Sequence, residues 1–412
     1  ALLTAGSLGD VAPFVALGRG LTAAGHTVRL AAPSENVALV TGEGLEVASL
    51  GVDFMALADS EAVSDATGGS PRAMLQAYRE SQDSMRTLIH AAGRAADGAD
   101  AIVFHPKTFV GGHIAEARGI PVFLWAAAPV LVPTAEFAVP VSSKLDLGPL
   151  NRLSYKANLG TAMPYRSMIN EWRADVLGLP ATGRFADPFS AAGHALPVLY
   201  AFSETVVARP ADWPERVHVT GYWFLESDPD DRLDAELSAF LEDGEAPVYL
   251  GFGSLAGRDP GRTTDVVLEA VAEAGVRAVI ATGWGGLAAD HAPANVHLVD
   301  GAPHDRLFPR CAAVVHHGGS GTTAAGLRAG VPSVICPFFG DQAFWGARVA
   351  AIGAGPEPIP QKQLTSERLA RALELAAGDA GLRTRAEAIA ETLEAEDGVG
   401  TTIELIEAAA RS

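Results

Sequence analysis

Two distant stretches of this chain are written alike: an apolar run, a glycine-rich turn, then a helical run stopped by glycine. Ala1–Ala5 leads into Gly6-Ser7-Leu8-Gly9-Asp10 and a helical run Pro13–Ala24, stopped by Gly25. Val248–Phe252 leads into Gly253-Ser254-Leu255, with a helical run Thr263–Ala274 stopped by Gly275. Short apolar strands follow each unit. They are Thr27–Ala32, Ala101–Phe104 and Val122–Ala126 in the first half, and Ala278–Ala281, Val296–Val299, Ala312–Val315 and Ser333–Cys336 in the second. Strands that are apolar throughout and separated by helices belong in buried parallel sheets, so the pattern predicts an α/β protein with two doubly wound sheets. A chain of 412 residues also exceeds what one core organises, and two domains follow.

The boundary falls between Phe202 and Leu237, where Pro210, Pro214, Pro229 and the acidic run Glu226–Asp231 make a linker composition. This predicts a first domain at 1–215, a second at 232–395, and a helical tail, 396–412. Residues 60–95 and 140–190 read as amphipathic, aromatic-bearing insertions that shape a ligand site. A net charge of −19 argues against nucleic acid or an anionic membrane as main partner. Cys311 and Cys336 lie in apolar strand contexts and read as buried thiols. No run of eighteen apolar residues predicts a transmembrane segment. The opening Ala1-Leu2-Leu3 reads as a trimmed strand and not a signal peptide, and a cytoplasmic location is expected.

Chemistry concentrates in His316–Gln342, HHGGSGTTAAGLRAGVPSVICPFFGDQ. After an apolar strand come two histidines, a turn with Gly318, Gly319 and Gly321, the hydroxyls Ser320, Thr322 and Thr323, and a helix-like run Thr323–Ala329. Unsatisfied N–H groups at a helix start make a phosphate seat. A second strand, Val331–Phe338, ends in Gly340-Asp341-Gln342, polar groups suited to sugar hydroxyls. Phosphate donors beside hydroxyl binders point to a sugar nucleotide. Three alternatives lack their patterns: the first turn gives only Gly6-x-x-Gly9, against a dinucleotide site, and no P-loop motif occurs. Asp228-Pro229-Asp230 spells D-x-D, but within the acidic proline linker.

HHGGSGTT, RAGVP and PFFGDQAFWGARVAAIG together resemble the signature region of GT-B nucleotide-sugar glycosyltransferases, in the branch of the sterol glucosyltransferases and bacterial macrolide or glycopeptide glycosyltransferases. The wording FFGDQ-x-FWG leans to the sterol side. The resemblance implies two Rossmann-like domains facing a cleft, with the last helix crossing back to the first. It implies an inverting, metal-independent O-glycosyltransferase moving glucose from UDP-glucose to an apolar polycyclic acceptor, with no cofactor beyond that co-substrate. In the pattern G-S-x-G-D-V-x-P, Asp10 matches the catalytic aspartate; the competing reading is a carboxylate that caps a helix starting near Pro13. Plant-type relatives carry a histidine in this loop, whereas here no histidine precedes His26.

By the same resemblance His316 contacts the donor phosphate, with Gly318, Gly319, Ser320, Gly321 and Thr322 as its cradle, while His317 packs. Asp341 and Gln342 hold the donor sugar, against a reading as a polar turn. Ser254 is a further phosphate contact, and Trp284 either stacks on the nucleobase or packs in its loop. Phe109, Trp125, Phe137, Met163 and Tyr165 are acceptor-side candidates, each with a core reading beside it. Where the sterol enzymes carry an M-P-W-T-P-T-x-E-F-like stretch, this chain has Ala128–Phe137 without the tryptophan. Three other readings are a macrolide glycosyltransferase using a UDP- or dTDP-sugar, a sugar-nucleotide epimerase, and a silent binding partner.

Overall fold

The computed structural model describes residues 1–54, 56, 71–141, 146–158, 160, 163–183, 186–228, 232–252, 260–282 and 292–411. Two parallel sheets carry the chain. The first is built from β1 (Leu2–Leu3), β2 (Arg29–Ala32), β3 (Glu46–Ser49), β4 (Ile102–Phe104), β5 (Val122–Ala126), β8 (Val198–Tyr200) and β9 (Val217–Val219). Its order is β3-β2-β1-β4-β5-β8-β9, and a small antiparallel hairpin, β6 (Ser190–Ala191) with β7 (His194–Ala195), stands apart. The second holds β10 (Val248–Gly251), β11 (Ala278–Ala281), β12 (Val296–Val299), β13 (Ala313–His316) and β14 (Ser333–Ile335), in the order β12-β11-β10-β13-β14. Most of these strands are buried along their whole length, which is why their sequences are apolar runs and do not alternate.

Two elements differ from the sequence expectation. The first helix is Leu8–Ala23, starting five residues before Pro13 and enclosing it. Proline favours the first turn of a helix, which made Pro13 look like the start. Here a capping pattern, Ser7-x-x-Asp10, starts the helix earlier, and Pro13 sits inside for the loss of one backbone hydrogen bond. The proline-rich linker is also more structured than its composition implies. It contributes β9 to the first sheet just beyond residue 215, and Ser227 bonds Asp305 through both its N–H (3.1 Å) and its Oγ (2.7 Å).

The last helix, Gly398–Ala410, packs on Leu8–Ala23 as expected. Ile406 is buried in one cluster with Leu17, Leu21 and Trp223, with Val399 and Ile403 against it. Cys311 and Cys336 are free and buried, and burial pushes both thiols up to about 12. Among the described residues no helix is long and apolar enough to cross a membrane.

Candidate active site

In a doubly wound sheet the crevice opens where two neighbouring strands send their chains in opposite directions, at their carboxyl ends. In the first sheet those neighbours are β1 and β4. The turn after β1 carries Asp10; the turn after β4 carries His105 and Lys107. His105 Nε2 lies 3.2 Å from Asp10 Oδ1, and Lys107 Nζ lies 2.8 Å from Oδ2. Ser7 adds its N–H at 2.9 Å and its Oγ at 3.3 Å, both to Oδ2. Gly6 makes this crowding feasible: at φ +126°, a Cβ there would stand 2.1 Å from Asp10 Oδ2 and 2.6 Å from Lys107 Nζ.

The tautomer of His105 follows from its other nitrogen. Nδ1 accepts the Lys107 backbone N–H at 3.0 Å, so Nε2 carries the proton and donates it to Asp10. Burial is the largest influence on Asp10 and alone would raise its pKa. The Lys107 ammonium and the His105 ring more than offset it and hold the carboxyl below the ordinary carboxylate range. His105 itself is pushed down, chiefly by burial, while its bond to Asp10 opposes the shift. The capping reading of Asp10 is thus correct as far as the Ser7 contact goes. A cap needs neither the histidine nor the lysine.

In the second sheet the corresponding neighbours are β10 and β13. Ser254, in the turn after β10, and Trp284, after β11, lie outside the described residues. After β13 the chain turns at Gly318 (φ +91°) into the helix Ser320–Arg328, whose start no side chain caps. Its cradle is open: Gly321 is exposed, and Gly319, Ser320 and Thr322 are half-buried. The two histidines differ in burial, and each keeps one buried ring nitrogen without a partner among the described residues, His316 Nε2 and His317 Nδ1. His316 is wholly buried (0 %), takes the Gly318 N–H on Nδ1 at 3.1 Å, and keeps Nε2 without a partner among the described residues. Its ring faces the interior because it is the last residue of the strand. His317, beyond the strand, is the half-buried one, and Gly319 lets it lie close, since a Cβ there would meet His317 Nε2 at 2.5 Å. Burial holds His317 down to about 4.

Gln342 is 4 % exposed, and its Oε1 accepts the N–H groups of Phe338 (2.8 Å) and Phe339 (3.2 Å). That oxygen serves the turn, as the polar-turn reading has it. Asp341 accepts Trp345 Nε1–H on Oδ2 at 2.9 Å. Burial, first of all, raises its pKa, and the Asp10 charge adds to the rise while Lys107 opposes it. The two carboxylates, one from each half, therefore feel each other's charge. Other contacts join the same faces: Ser320 Oγ donates to the Ala127 carbonyl at 3.0 Å, and the Phe137 and Phe344 rings stand 5.5 Å apart.

Of the acceptor candidates, Trp125 does not reach a cleft. It is 1 % exposed, edge-on to Phe14 at 5.1 Å and near Trp223 at 6.0 Å, because as a β5 residue it faces the helix layer. Phe109, two residues past Lys107, lies 5.8 Å from Tyr165, which lies 5.6 Å from Tyr78. Phe109 holds φ +58°, unusual for a bulky residue and a conformation that clusters at functional sites. Met163 is 43 % exposed beside this aromatic group, and Phe137 is half-buried. Lys107 and Tyr78 went unread in the sequence: one is an ordinary lysine in a loop, the other one aromatic in an amphipathic helix. Among the described residues no group of three or more His, Cys, Asp or Glu is placed to hold a metal ion.

Comparison with known proteins agrees with this geometry. Residues 1–135 match the glycosyltransferase family 28 N-terminal domain, and 265–403 the erythromycin biosynthesis protein CIII-like C-terminal domain. Sterol 3-beta-glucosyltransferase UGT80B1 of Arabidopsis thaliana is 36% identical over 98% of this chain and 67% of its own length. The Debaryomyces hansenii sterol 3-beta-glucosyltransferase is 37% identical over 98% of the chain, which spans only 26% of that relative. Among solved structures, the glycotransferase of kitacinnamycin superposes with a TM-score of 0.72 at 21% identity, over 99% of this chain and 98% of its own. VinC, solved with dTDP, gives 0.68 at 20%, over 100% and 98%. With the two sheets, their facing switch points and these relatives together, the chain belongs to the GT-B glycosyltransferases, in the branch that holds the sterol 3-beta-glucosyltransferases.

Proposed function

We propose that this protein is an inverting, metal-independent O-glycosyltransferase that moves glucose from UDP-glucose to a hydroxyl of a flat, apolar acceptor, a sterol or steroid. The observation that carries the reading is Asp10 at the first sheet's switch point, its carboxylate bonded to His105 (3.2 Å) and to Lys107 (2.8 Å). An alcohol is a poor nucleophile at neutral pH and needs a base. The acceptor O–H gives its proton to Asp10 as the oxygen forms its bond to the anomeric carbon. The bond from that carbon to the diphosphate breaks on the opposite face, and its electron pair leaves with the nucleoside diphosphate. The uncapped start of the helix Ser320–Arg328 and His317 meet the growing charge. Asp341 orients the sugar, and the Phe109, Tyr165 and Tyr78 rings offer an apolar wall to the acceptor.

The relatives' names support a sterol acceptor, and the −19 charge fits a small-molecule substrate over an anionic polymer. A mass-spectrometric screen tests the reading by crossing UDP-glucose and dTDP-glucose with sterols, macrolides and flavonoids. A sterol plus one hexose from UDP-glucose is the expected product. Conversion of macrolides alone would replace the acceptor, and no product with any pair would sink the reading. The histidine assignment has its own check. His317→Ala is expected to weaken UDP-glucose binding by about tenfold or more, as for one hydrogen bond to a charged group, measured by calorimetry. His316→Ala, which empties a buried site, should instead lower the melting temperature.

A further inference from the structure

We infer that Lys107 is a positioning residue for the transfer: through its 2.8 Å contact with Oδ2 it holds the Asp10 carboxylate in place for the acceptor. This rests on the reading of Asp10 as base. Lys107 is the only cation bonded to Asp10 among the described residues, and its own side chain is about half exposed (49%), unlike the buried His105. Its backbone is fixed by the tight turn Pro106–Thr108. There Thr108 returns its N–H (3.0 Å) and its Oγ1 (2.8 Å) to the His105 carbonyl, and the Lys107 N–H holds the histidine ring. One short segment thus sets both the tautomer of His105 and the reach of the ammonium.

The oxygens of Asp10 divide the work. Among the described residues Oδ2 takes three donors, from Lys107 and from Ser7 N and Oγ, and Oδ1 takes one, His105 Nε2–H. A carboxylate oxygen has two lone-pair directions, so Oδ1 keeps one free and is the atom that receives the acceptor's proton. Lys107, pinning Oδ2, fixes the orientation of the carboxylate. The titratable groups that face Asp10 are His105 and Lys107 from the turn after β4 and Asp341 from the second half. Removing Lys107 takes away the ammonium that holds Asp10 down and opposes the rise of Asp341. One of them must then take up a proton at a higher pH.

The test is the pH profile of kcat for Lys107→Met and Lys107→Arg, with UDP-glucose and the acceptor that the wild type converts. Lys107→Met is expected to move the acid limb upward by one pH unit or more, about tenfold in kcat on that slope, with a smaller loss at alkaline pH. Lys107→Arg should restore the limb. An unmoved limb, or a uniform loss at every pH, overturns the inference and leaves Asp10 as base, provided Asp10→Asn is inactive. If Asp10→Asn still turns over, the base reading falls and this inference with it.

Discussion

Asp10→Asn is expected to lower kcat by about 10²–10⁴-fold while UDP-glucose binding stays within a few-fold of wild type. The substitution is nearly isosteric, and its amide oxygen still accepts from Ser7 N–H and Lys107, so the helix start survives. What vanishes is the charge that takes the acceptor's proton. In the proposed reading donor binding rests on the other half, on the start of Ser320–Arg328 and on Asp341. Product formation by mass spectrometry and donor affinity by calorimetry separate the two contributions. Turnover within threefold of wild type would remove Asp10 from the chemistry and reduce it to a helix cap.

The second large effect comes from a residue with no functional group. In Gly6→Ala the new methyl lands 2.1 Å from Asp10 Oδ2, 2.8 Å from its Cγ and 2.6 Å from Lys107 Nζ, at a backbone φ of +126° that side chains rarely adopt. The carboxylate and the ammonium must part, and a base displaced by about an ångström costs on the order of 10²-fold in rate. The strain adds a lower melting temperature. Gly9→Ala makes the control, because its nearest neighbour, Ser7 Oγ, would be 3.7 Å away. Equal kcat for Gly6→Ala and wild type would contradict the packed arrangement around Asp10.

Much of this was readable before any coordinates, and the reasons are local. Buried parallel strands leave uninterrupted apolar runs, so Val122–Ala126 and Ala278–Ala281 fall where the sequence places them. The start of the first helix was misread because Pro13 spoke louder than Ser7-x-x-Asp10, although both patterns stand in the same eight residues. Lys107 could not be found by spacing. Its partner lies 97 positions away, and only the pairing of β1 with β4 brings the two turns together. The absence of an early histidine pointed to a carboxylate working alone. The same pairing supplies His105 from the adjacent strand. Trp125 is hard to place for a different reason, since an indole within an apolar strand looks the same whether it faces a ligand or the helix layer.

The helix Gly398–Ala410 closes the hydrophobic layer over Leu17, Leu21 and Trp223. The first half therefore completes its packing only once residues 398–410 have been made. Until then its first helix has an uncovered apolar flank, a natural handle for chaperones. Anyone exchanging halves between related enzymes to recombine acceptor and donor preferences faces the same fact. A chimera cut once, in the linker, mates a foreign helix to Leu8–Ala23. One cut twice, so that the terminal helix travels with the opening half, keeps that contact intact.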